Sequence, residues 1–266
     1  MKKRIFNLFI IFYTFIILFL PILALFNKIS DIPFEMFIRR ATEPIVVAAY
    51  FTTISLAFLS TLLNTFFGFI IAWVLTRYNF PLKKFLDSCI DLPFALPTSV
   101  AGLTLVTVYS KESLIGSWLL NNNIEVVFNK LGVILAMCFV SFPFVVRTIQ
   151  PVLQEIDKEI EEVSWSLGAS PWKTFQKVIF PTLFPSIFTG ASLSFSRAIG
   201  EYGSIVIISS NFPFKDLITS VLIFQSLEQY DYIGATIIGT GALILSLILL
   251  LSVNFFQSLN QQFLKN

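Results

Sequence analysis

The sequence predicts an all-α, polytopic membrane protein of about six transmembrane helices, and three observations predict it. Hydrophobic residues fill 56% of the 266 positions and charged residues only 13%, about half of what soluble domains carry. Mean hydropathy is +0.81. The apolar residues gather in stretches of about 20, the length that crosses a bilayer as a helix, and the charges fall between them.

The first stretch, Ile5 to Phe26, follows Met1-Lys2-Lys3-Arg4. A basic start before an apolar run imitates a signal peptide. This run is longer than a usual signal core and has no A-x-A site after it, so an uncleaved first helix is expected. The next stretches run from Thr53 to Leu75, Phe85 to Tyr109, Leu131 to Val152, Thr182 to Ser209 and Ile233 to Phe256. Asp87, Asp91, Pro93 and Pro97 interrupt the third. Irregular backbone at membrane depth is tolerated where it faces protein or a water-filled cavity, which hints at a pathway there. Residues 1–52 thus form an N-terminal helix with an external loop, and 53–260 form the core.

Six spans place both termini on one side. That side holds Lys2, Lys3, Arg4, Arg77, Lys83, Lys84, Arg147, Lys158, Lys173, Lys177 and Lys265, against Lys28, Arg39, Arg40, Lys111, Lys130 and Lys215 opposite. The excess predicts termini in the cytoplasm or its organellar equivalent. Histidine is absent, which removes the commonest general base and metal ligand. No phosphate-binding G-x-x-x-x-G-K-[ST] loop occurs. Cys89 and Cys138 fall inside spans without metal-ligand spacing and read as packing residues. No cofactor, metal or nucleic acid is expected on this chain, and any ATP that drives it must be hydrolysed by a partner.

The one long inward segment, Gln154 to Pro181, reads as two short amphipathic helices around a turn. Ile156, Ile160, Val163 and Leu167 recur at helical spacing beside the acidic stripe Glu155, Glu159 and Glu162. Gly168 suits a left-handed C-cap, and Ser170 before Pro171 suits an N-cap with proline at the first helical position. The second helix presents Trp172, Phe175 and Ile179, with Lys173 and Lys177 near them. A passive linker needs no apolar stripe, glycine turn or exposed tryptophan. A docking element inserted into a partner's groove needs all three.

Charges inside spans are costly and must be shielded or functional. Asp87 and Asp91 share a helix face, and for Asp87 in particular a partner in Lys83 or Lys84 at the interface is expected. Arg197 and Glu201 are also four apart, in the small-residue stretch GASLSFSRAIGEYGS. They read either as a neutralising pair that fixes a helix or as a selective positive element on an anion route, with Glu201 setting the position of Arg197. Asp91, Arg197 and Glu201 are the candidate pathway residues. The prolines and glycine of Leu92 to Gly102, with Gly190, Gly200 and Gly203, suit close helix contacts or kinks.

The inward loop resembles the EAA loop of binding-protein-dependent ABC importer permeases: E-A-A, three residues, G, nine residues, then I-x-L-P. Glu162-Val163-Ser164 stands at the E-A-A, Gly168 at the glycine, and Val178, Phe180 and Pro181 at the ending. Three further stretches resemble sulfate permease subunits of the CysT type: AWVLTRYNFPLKKFLDSCIDLPFALPTSVAGLTL from Ala72, RAIGEYGSIVIISSN from Arg197 and SLEQYDYIGATII from Ser226. The resemblance implies a type I importer permease fold. It implies an ATPase-coupling role for Glu162, Gly168, Ala169, Pro171, Val178 and Pro181. It also implies ABC ATPase subunits, a second related permease and a sulfate-binding protein as partners, with sulfate, and thiosulfate as a second cargo, as the solute. Molybdate permeases are close relatives, and the residue chemistry does not separate two tetrahedral dianions. An ion-coupled secondary anion transporter is the competing class. It would show inverted repeats, and no convincing repeat is present. The 31 phenylalanines, with many Ile, Asn and Lys, suggest an A+T-rich coding genome. A chloroplast membrane is therefore favoured, with a bacterial plasma membrane as the alternative.

Overall fold

The computed structural model describes residues 2–263, so Lys265 lies outside the described residues. Among the described residues five helices are long and apolar enough to cross a membrane. The first is α1, a continuous run over 2–30 with a π-turn at Phe15–Phe19. A short helix, α2 (Phe34–Ala41), leads to α3 (Pro44–Arg77). At 1.5 Å per residue α3 is about 51 Å long, well beyond a ~30 Å hydrocarbon core. The others are α8 (Lys130–Glu155), α10 (Pro171–Ile199) and α13 (Tyr232–Phe263).

The third expected span is broken, as its charges and prolines suggested. It consists of α4 (Lys83–Ile90), α5 (Leu92–Ala95) and α6 (Thr98–Tyr109). Pro97 removes an amide donor and leaves Leu96 extended at ψ 133, so the helix restarts at Thr98. After α6 come α7 (Leu114–Asn121) and the loop into α8.

The fifth expected span ends earlier than its hydropathy implies. Its helix stops at Ile199, and the apolar residues expected to extend it form the separate turn α11 (Ile205–Ile208). A further helix, α12 (Thr219–Glu228), precedes α13. The inward loop holds one short helix, α9 (Lys158–Ser166), rather than two. What reads as the second is the start of α10, joined to it through a π-turn at Phe175–Ile179.

The centre of the molecule is the packing of α3, α8 and α10. Small residues permit it: Cβ atoms added at Gly68 and Gly190 would lie 2.8 Å and 3.1 Å from Val145 atoms. A buried polar knot keys the three helices. Asn64 Nδ2 donates to the Cys138 carbonyl (3.1 Å), Ser141 Oγ (2.9 Å) and Ser194 Oγ (3.3 Å). Apolar packing alone gives little register between helices in lipid, so such a knot fixes it.

The two ends of the bundle differ. At one end the C-termini of α3 and α8 meet α9 and the start of α10, with Leu153, Ile156, Ile179 and Leu183 buried together. At the other, Arg40 approaches Asp231 (3.6 Å), Lys28 stands over Tyr232 and Lys215 Nζ donates to the Phe128 carbonyl.

Candidate functional site

The turn after α9 is a Schellman motif built on Gly168. Gly168 sits at φ +84, its amide donates to the Trp165 carbonyl (2.9 Å), and the Ala169 amide donates to the Ser164 carbonyl (3.0 Å). Ser170 then caps α10 by accepting from the Lys173 amide at 3.3 Å, with Pro171 in the first turn. Of the predicted apolar stripe, Ile156 is buried, whereas Ile160, Val163 and Leu167 face outward. Leu167 is 84% exposed and Trp172 66% exposed. Glu162 and Gly168 are exposed beside them, Ala169, Val178 and Pro181 are half-buried, and Pro171 is exposed. An exposed apolar patch rimmed by carboxylates at one end of a bundle is the form of a docking surface.

The second group is the pair expected in the fifth span. Arg197, in the last turn of α10, places Nη1 2.7 Å from Glu201 Oε2. Glu201 is buried, and a buried carboxylate needs its lone pairs matched. Its other oxygen accepts from the Ser204 amide (3.0 Å) and Ser204 Oγ (2.8 Å), which holds the entry to α11. Its carbonyl accepts from Ser220 Oγ (2.7 Å), which ties in α12. Gly102 of α6 lies against the Ser204 backbone, and Gly203 lies against Thr98. The Arg197 side chain is 31% exposed and, among the described residues, has no second carboxylate partner. A hollow of about 220 Å³ adjoins Gly200, with Tyr50, Thr53, Thr219 and Ser220 on its wall.

The third group differs from expectation. Asp87 and Asp91 do face one way, but the side chain that bonds both is Arg147 of α8, while Lys83, expected beside Asp87, acts on it only through its charge. Arg147 grips Asp91 bidentately through Nε (2.8 Å) and Nη2 (2.7 Å). Its Nη1 donates to Asp87 Oδ1 and Gln150 Oε1, and its Nη2 donates to the Asp87 carbonyl, each at 2.7 Å. Lys83 instead donates to the Tyr78 carbonyl. All five guanidinium donors are therefore taken. Arg147 has none left for a passing anion, and Asp91 is held as a brace between α4 and α8. The four-residue spacing showed that the two carboxylates share a face. It held no information about an arginine on another helix.

A cavity of about 620 Å³ between α3, α4, α6 and α8 is lined mainly by apolar side chains, among them Ile71, Leu75, Leu105 and Phe139. Its wall carries no cationic group, and its polar members are Asn64, Tyr109 and the thiols of Cys89 and Cys138. Sequence reasoning also missed Arg77 with Glu161 and the Asn64 knot, because each joins distant segments. Cys89 and Cys138 are free thiols.

Comparison with known proteins agrees with this arrangement. Residues 64–266 match the family model described as binding-protein-dependent transport system inner membrane component. Several curated relatives bear the name "Probable sulfate transport system permease protein cysT". That of Chlorokybus atmophyticus is 61% identical over 253 residues, covering 95% of this chain and 88% of the relative. That of Mesostigma viride is 60% identical, covering 95% and 94%. Among solved structures, a bacterial ABC transporter involved in import of the polysaccharide alginate superposes with a TM-score of 0.78 at 18% identity, covering 96% of each chain. The inward-facing MetNI methionine ABC transporter gives 0.59 at 18% identity, covering 80% of this chain and 93% of that one. These two show the fold. With a family match over most of its length, close relatives along nearly all of it and a glycine-turned loop at one end of its helices, this multi-pass chain belongs to the binding-protein-dependent transport system inner membrane components.

Proposed function

We propose that this chain is the transmembrane permease subunit of an ATP-driven sulfate importer, forming half of its translocation pathway. The observation that carries the coupling role is α9, whose apolar residues face outward although the bundle beside them offers burial. Separate ABC ATPase subunits dock there and hydrolyse the ATP. The cargo reading is supported by relatives at about 60% identity that are named as sulfate permeases. A second related permease completes the pathway, and a sulfate-binding protein delivers the anion at the end opposite α9. By the positive-inside bias the α9 end faces the cytoplasm or stroma. The named relatives come from plastid-bearing algae and plants, which supports a chloroplast membrane.

The chain's own residues divide the work. The Schellman turn at Gly168 fixes the angle between α9 and α10, so a push on the patch is delivered to a long membrane helix. Arg197 supplies a partly neutralised positive charge near the end of that helix. A fully neutralised arginine would not attract a dianion, and a bare one would hold it too tightly for release. Capture belongs to the binding protein, and Arg197 makes a weak, transient contact.

Purification tests this reading against a secondary carrier. Co-purification of a soluble ATPase, with no uptake by the isolated chain in an ion gradient, is expected. Gradient-driven uptake by the isolated chain would overturn it.

A further inference from the structure

The end of α3 meets α9 at an ion pair that neither the loop motif nor the charged spans account for. Arg77 Nη2 lies 2.6 Å from Glu161 Oε1, and the two side chains are only 12% and 17% exposed. The Arg77 guanidinium also stands over the Trp73 ring, 5.6 Å from its centroid. Trp73 meets Phe175 edge-on at 5.6 Å, and Phe175 stacks on Trp172 at 5.5 Å. Arg77 therefore closes an aromatic stack that joins α3 to the start of α10, and it holds α9 by a carboxylate. Other attachment of α9 is sparse, since Ile160, Val163, Trp165 and Leu167 all face outward.

We propose that Arg77 and Glu161 are a positioning pair, the strut through which movement of α9 on its ATPase partner is delivered to α3 and so to the Arg197 site. The inference rests on the reading of α9 as the ATPase-docking element. A low-exposure pair escapes much of the screening that weakens surface ion pairs. A planar guanidinium against an aromatic face also holds its direction better than an ammonium would. From Arg77, α3 runs without interruption to Thr53, about 36 Å at 1.5 Å per residue. There Thr53 Oγ1 accepts from the Thr219 amide at 2.9 Å, and the adjoining Ser220 holds the Glu201 carbonyl. A rigid helix ion-paired at one end and hydrogen-bonded at the other is the kind of element that carries coupling between distant sites. Glu162, the next residue, is exposed and remains free to meet the partner.

The test uses the whole complex: permeases, ATPase subunits and sulfate-binding protein in liposomes. Arg77→Glu, Glu161→Arg, their combination and Arg77→Gln are compared with the parent for sulfate moved per ATP hydrolysed and for ATPase retained on purification. Each single variant is expected to retain the ATPase but to move about tenfold less sulfate per ATP, within the usual range of coupling between sites. The reversed pair is expected to return to within about twofold of the parent, the signature of a direct interaction. Normal sulfate per ATP in the single variants overturns the strut, and so does a reversed pair as defective as either single. Loss of the ATPase from the single variants also overturns it, because the pair would then be shaping the dock. If Arg77→Glu fails to fold, Arg77→Gln is read by the same criteria, since it removes the charge without opposing two carboxylates. Failure of the docking reading is recognised separately, by full ATPase retention in Leu167→Asp.

Discussion

Arg197 offers Glu201 one guanidinium nitrogen at 2.7 Å, while the other carboxylate oxygen of Glu201 is held by Ser204. Of the two readings left open by its spacing, the ion pair is what this arrangement contains, and the place of Arg197 on an anion route is the proposal that mutation tests. Glu201 is a buried anchor that organises α10, α11 and α12, and Arg197 is its partly exposed counter-charge. The residues separate under mutation. Glu201→Ala strands the Ser204 donors and the arginine and should lower stability by about 3 kcal/mol, seen as a lower melting temperature in detergent. Arg197→Gln should leave assembly intact and abolish sulfate uptake. Unchanged uptake in correctly assembled Arg197→Gln complexes would remove Arg197 from the pathway.

The Arg147 fork predicts a specific response at a neighbouring thiol. Arg147→Lys keeps the charge but cannot grip Asp91 at two points while reaching Asp87. With α4 less firmly held to α8, Cys89 should react with a maleimide about tenfold faster, equivalent to roughly 1.4 kcal/mol of lost protection. The rate is measured in a Cys138→Ser background. An unaltered rate would mean that the fork does not brace α4.

At Gly168 the prediction concerns backbone alone. A Cβ there would meet nothing within 4 Å, so any penalty comes from φ +84. Gly168→Ala should cost about 1 kcal/mol, Gly168→Asn less and Gly168→Val more. ATP consumed per sulfate should rise in the same order, because the angle between α9 and α10 is what the turn sets. Normal coupling in Gly168→Val would count against that role.

Asn64 should matter to stability rather than to coupling at the dock. Asn64→Leu removes donors to Cys138, Ser141 and Ser194 from the centre of α3, α8 and α10. A loss of about 1–2 kcal/mol is expected, the scale of polar contacts between membrane helices. Equilibrium unfolding in mixed micelles measures it, with ATPase retention unaffected.

What could be read from the sequence, and what could not, follows from the range of each signal. Hydropathy located the spans, and Asp91, Pro93 and Pro97 announced the break between α4 and α6. The turn at Gly168 and the cap at Ser170 were legible because each is a local backbone requirement. The end of α10 at Ile199 was not, because Ile205–Ile208 continues the apolar composition after the chain has left the helix. The helix α12 carried no span-length apolar run and was invisible to that test. Arg147 with Asp91, Arg77 with Glu161 and Asn64 with Ser194 each join positions more than fifty residues apart, beyond the reach of periodicity.

The central claim is ATP-driven anion import through this subunit, and uptake of labelled sulfate into liposomes holding the whole complex tests it most directly. Uptake is expected only with ATP and the binding protein present, with thiosulfate competing better than molybdate. Uptake that is indifferent to ATP, or that molybdate suppresses while excess unlabelled sulfate does not, would contradict the account.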